Sequence, residues 1–132
     1  MELKEAIEMD INDTKKLKLL GYDDNNYYGG FWEMMKYVSK AYRYLKKKFE
    51  FKSIFNDIFF WHDYCYSFKP NLEKKKIIDK KMYDYMMNRI DLKFEIVQDD
   101  FVENMYRRFA EFCYKAVCWF TPIYLLMGKV RW

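Results

Sequence analysis

Position 79 carries an aspartate where a helix calls for a hydrophobic residue. Residues 72 to 90 set Leu72, Met82, Tyr83, Met86 and Ile90 on one face at the helical period, and Asp79 falls in the middle of that stripe. A carboxylate buried without a partner costs several kcal/mol. A chain that packs this face must therefore bring a polar group to meet it.

The preceding segment supplies one. A helix is expected over roughly 54–68, with Ser53 as its N-cap. Phe55, Ile58, Phe59, Cys65 and Tyr66 share one of its faces, and His62, the only histidine, sits among them. Pro70 and Asn71 mark a turn. Positions 62 and 79 lie equally far from that turn, so an antiparallel helix hairpin places His62 opposite Asp79. Tyr66, one turn beyond His62, reaches the same carboxylate. Asp63 lies about 100° round the helix, at the edge of the face.

This pairing has a chemical use. An aspartate that accepts a hydrogen bond from one ring nitrogen fixes the tautomer of the imidazole and leaves the other nitrogen as a base. The same spacing also describes a histidine that merely satisfies its core neighbours.

The rest of the chain points to a mostly α domain. With 2 prolines and 4 glycines in 132 residues, long loops and turn-rich sheets are disfavoured. Leu3, Ile7 and Ile11 suggest a weak first helix. Residues 21–30 read as a loop, and a strong helix is expected over roughly 31–49. Leu92, Phe94 and Ile96 alternate with charges, which allows one minor strand over 91–97. Asp100 and Glu103 form a capping box for a last helix, with Phe101, Met105, Phe109, Phe112, Ala116 and Phe120 as its buried stripe and Pro122 as its end. The organisation expected is a single domain over 1–132. Residues 1–30 form an N-terminal segment and loop, 31–120 a helical core, and 121–132 a C-terminal tail.

The net charge of +4 suits an anionic partner. The runs at 15–18, 46–48 and 74–76 read as solvated basic faces. Three cysteines make no disulfide framework, and residues 1–16 lack the apolar core of a secretory signal. Together these point to an intracellular, virion or organellar setting. Residues 116–128 are too short and proline-broken to span a bilayer, but the Trp and cations that follow suit an interface. P-loop, GxSxG, HExxH and CxxC motifs are all missing.

The run His62-Asp63-Tyr64-Cys65-Tyr66 resembles the HDxCY signature of the phospholipases A2, and Asp79 matches the second aspartate that they carry on an antiparallel helix. The variant is similar to the disulfide-poor forms, the parvoviral capsid domain and a phage and bacterial HDYLY type. The resemblance covers roughly residues 52–90. It implies Ca²⁺-dependent ester hydrolysis of phospholipid, with His62 as general base, Asp79 orienting it and Tyr66 steadying Asp79. Asp63 would bind Ca²⁺, aided by backbone carbonyls of a glycine loop. That loop is missing just before the helix; the remaining candidate is the stretch with Tyr28 and Gly30. A second expectation is a non-catalytic structural subunit of a larger viral or organellar assembly. The expected partners are accordingly a phospholipid surface or assembly subunits. RNA binding through interleaved aromatics and cations is set against Tyr42 and Leu45, which fit a buried stripe.

Overall fold

The computed structural model describes residues 1–26, 28 and 51–132. The helix expected at 31–49, the basic run at 46–48 and Gly30 lie outside the described residues. Among the described residues the chain is helical: α1 (Leu3–Glu8), α2 (Thr14–Leu19), α3 (Phe51–Tyr66), α4 (Leu72–Ile96), α5 (Asp100–Trp119) and α6 (Thr121–Leu126). No helix is long and apolar enough to cross a membrane among the described residues.

The centre is the hairpin of α3 and α4. Its turn passes through Lys69, at φ 50°, and the buried Pro70. Asn71 then caps α4, its side chain accepting a hydrogen bond from the Lys74 amide at 2.8 Å. Two cross-links show that the helices run antiparallel. His62 meets Asp79 near the turn, and Arg89 clamps Asp57 far from it, with Nη1 also donating to the Ile54 carbonyl.

Helix α5 folds back along α4 and closes the core. Phe55 stacks on Phe109 with ring centroids 5.8 Å apart, and Tyr106 bridges Phe55 and Phe94. On the opposite side of α3, the fully buried Trp61 donates from Nε1 to the Ala6 carbonyl of α1 at 2.8 Å. Helix α3 is thus enclosed from both sides.

Several sequence expectations need correction. The strand at 91–97 is helix: α4 runs on to Ile96, because Phe94 continues the four-residue spacing of Met82, Met86 and Ile90 into the core while Leu92 and Ile96 stay exposed. Ser53 lies inside α3 rather than capping it. The cap of α5 is Asp99, which accepts from the Val102 amide at 3.1 Å; Glu103 instead pairs with Arg107. The buried face of α5 is Tyr106, Phe109, Ala110 and Cys113, so Phe101 and Phe112 are exposed. Tyr106 and Phe109 are the side chains that meet Phe55 of the hairpin. Pro122 ends α5 but opens α6, where its missing N–H costs nothing. The run 15–18 is part of α2 and buries Leu17.

Candidate functional site

Two pairs of residues spaced by one helical turn face each other across the hairpin. Helix α3 contributes His62 and Tyr66, and helix α4 contributes Lys75 and Asp79. All four are buried, with Asp79 1% and Lys75 2% exposed. Asp79 is the hub. Its Oδ1 lies 2.8 Å from His62 Nε2 and accepts from the Tyr66 hydroxyl at 2.5 Å. Its Oδ2 accepts from Lys75 Nζ at 2.5 Å. Lys75 Nζ also donates to the Val117 carbonyl at 2.9 Å, which ties α5 to the network.

Burial alone would raise the Asp79 pKa. The His62 hydrogen bond and charge, with the hydrogen bonds from Lys75 and Tyr66, outweigh it and hold the carboxyl below its ordinary range. The Tyr66 hydroxyl is pushed far up by burial and by the Asp79 charge, so it stays a donor. An ionised Asp79 has only acceptor sites, so the imidazole nitrogen facing it must carry a hydrogen. In the neutral ring, Nδ1 then holds the lone pair. The Tyr66 ring, 4.3 Å from the imidazole, limits its rotation. His62 is 5% exposed, so solvent reaches little of it.

The comparisons with known proteins fall silent here. No family model, curated protein or solved structure matches this chain.

The three residues assigned from the sequence to the catalytic group, His62, Asp79 and Tyr66, come together. Of the three assigned to metal, Asp63 and Tyr28 are among the described residues. Asp63 is exposed on the last turn of α3, and its charge raises the Tyr124 pKa after burial and Asp79. Tyr28 is anchored near the start of α3. Its amide donates to Asn56 Oδ1 at 3.1 Å and its ring meets Phe60 at 5.0 Å, while Asn56 Nδ2 donates to the Asn26 carbonyl at 2.8 Å. Asn56 lies about two helical turns, roughly 10 Å along the axis, from Asp63. Gly30 is outside the described residues. Ca²⁺ takes about six to eight oxygens. Among the described residues no three His, Cys, Asp or Glu side chains gather to hold a metal. The calcium expectation also calls on the loop through Gly30, which is not among the described residues.

Sequence reasoning missed Lys75, which it placed in a solvated basic run at 74–76. The signal was present: Lys75 stands four residues before Asp79, in the same buried stripe. It also missed Tyr124, whose ring meets Tyr66 edge-on at 5.4 Å and lies 5.6 Å from Lys75 Nζ. Tyr124 roofs the network from α6.

Proposed function

We propose that this chain is a phospholipase A2-like hydrolase in which His62 is the general base. The observation that carries the reading is the Asp79 carboxylate, which takes both His62 Nε2 and the Tyr66 hydroxyl on one oxygen. It is the arrangement implied by the His62–Tyr66 motif and its facing aspartate. In the reaction, Nδ1 removes a proton from water as the water oxygen bonds to the ester carbonyl carbon. The carbon–oxygen bond to the glycerol backbone then breaks, and the proton passes from Nδ1 to the leaving alkoxide. Asp79 stays ionised throughout and holds the ring.

The test is fatty-acid release from phospholipid vesicles by the wild type and by His62→Gln, with and without added Ca²⁺. Release by the wild type that His62→Gln abolishes supports the reading. Release that survives in the variant, or is absent from both folded proteins, defeats it.

One observation favours a second reading, a non-catalytic subunit of a viral or organellar assembly that keeps the hairpin. Lys75 neutralises the Asp79 charge that would otherwise stabilise an imidazolium, as a structural core network would. Folded but inactive wild-type protein is the result that selects it.

A further inference from the structure

The end of the molecule that carries α6 bears large apolar side chains pointing into solvent. Trp119, Leu126 and Trp132 are each more than four-fifths exposed, and Met127 and Ile123 are exposed beside them. They stand on a helix of six residues and its flanks, and the backbone there is firmly held. The Lys129 amide bonds to the Tyr124 carbonyl at 3.0 Å. The Arg131 amide bonds to the Pro70 carbonyl at 2.8 Å, and Arg131 Nε donates to the Lys69 carbonyl at 2.7 Å. This fixes Trp132 beside the α3–α4 turn.

The same end is basic. Lys69, Lys74, Lys76, Lys129 and Arg131 are all exposed there, against the exposed acids Asp63 and Glu73. Exposed indole, leucine and methionine side chains on the same end as exposed ammonium and guanidinium groups suit the surface of an anionic bilayer. The apolar groups enter the boundary between headgroups and acyl chains, and the cations meet phosphate and carboxylate headgroups. A large exposed apolar patch with a polar rim is itself the mark of an interaction site.

We infer that α6 and its flanks dock the protein on an anionic phospholipid bilayer, lying on the surface rather than crossing it. The inner side of the same helix puts Tyr124 on Tyr66 and Lys75, so the docked face is the one that roofs the His62–Asp79 network. The inference deepens the proposed function and rests on it for the substrate. Docking itself requires no turnover.

The experiment is sedimentation of wild type and of His62→Gln with vesicles of phosphatidylcholine alone and of phosphatidylcholine mixed with phosphatidylserine. Both proteins are expected to pellet with the anionic vesicles and to be released by salt. Leu126→Ser and Trp132→Ser, with helix content unchanged by circular dichroism, should each weaken binding about tenfold. Lys129→Gln should weaken it about fivefold. Three results overturn the inference: no pelleting, equal and salt-insensitive pelleting with neutral vesicles, or a wild-type dimer in solution that Leu126→Ser converts to monomer. Docking without fatty-acid release would remove the hydrolase reading alone.

Discussion

Replacing Asp79 by Asn tests the hub of the structure, and its cost can be worked from the contacts. The amide keeps the shape of the carboxylate, so Oδ1 still accepts from His62 and Tyr66. The group facing Lys75 becomes an amide nitrogen, and the buried ammonium keeps only the Val117 carbonyl. Removing one partner of a buried ion pair costs about 3–5 kcal/mol. In a domain of this size that lowers Tm by roughly 10–20 °C. Lys75→Met leaves the opposite charge stranded and should fall in the same range. The double variant Lys75→Met/Asp79→Asn is different. Both charges are gone, the methionine fills the lysine stem, and the amide keeps its two donors. Its cost should stay below about 2 kcal/mol, so the double variant is more stable than either single one. Urea unfolding followed by circular dichroism at neutral pH gives all four corners of the cycle. Single variants costing under about 1 kcal/mol, or costs that simply add, would refute the ion-pair reasoning.

Other outcomes follow from the same contacts. His62→Gln should lower fatty-acid release at least about 100-fold while leaving helix content unchanged, read by vesicle assay and circular dichroism. Because the folded Asp79 pKa is depressed, its stabilisation is complete above the ordinary carboxylate value of 3.8 and is lost as the pH falls through the lower folded value. Urea midpoints should therefore drop more steeply below that pH in wild type than in the double variant. Arg89→Leu breaks the two-pronged clamp on Asp57 and its bond to Ile54, and should cost about 1–3 kcal/mol in urea unfolding. With a thiol reagent on the native protein, Cys118 should react first. Cys113 and Cys65 are buried, and burial pushes the Cys65 thiol up to about 12. Gly128→Ala meets no atom within 4 Å but must adopt φ 69°, so it should cost about 1 kcal/mol of stability, measured by thermal melting.

The part of the site that could be read from the sequence rests on counting. A turn at Pro70 and Asn71 and two helical stripes suffice to put His62 against Asp79 and Tyr66 beside it. That works because hairpin register is fixed by distance from the turn. Lys75 escapes the same reasoning because its neighbours Lys74 and Lys76 are exposed, and a run of like charges masks a member that faces inward. The fold is legible as helical but not in its details. The alternation of Leu92, Phe94 and Ile96 mimics a strand, yet only Phe94 belongs to the stripe that packs on Tyr106. The α5 stripe is right at Phe109 and wrong at Phe101 and Phe112, because two apolar faces compete along that helix and the sequence does not say which one meets the hairpin.

The bond from Lys75 to Asp79 also limits how such a chain can drift. Neither residue can be exchanged alone without stranding a charge, while the two together can give way to uncharged side chains at small cost. A lineage would have to cross an unstable intermediate or change both codons nearly at once. Descendants are thus expected to retain the cation and the acid as a unit or to have lost both.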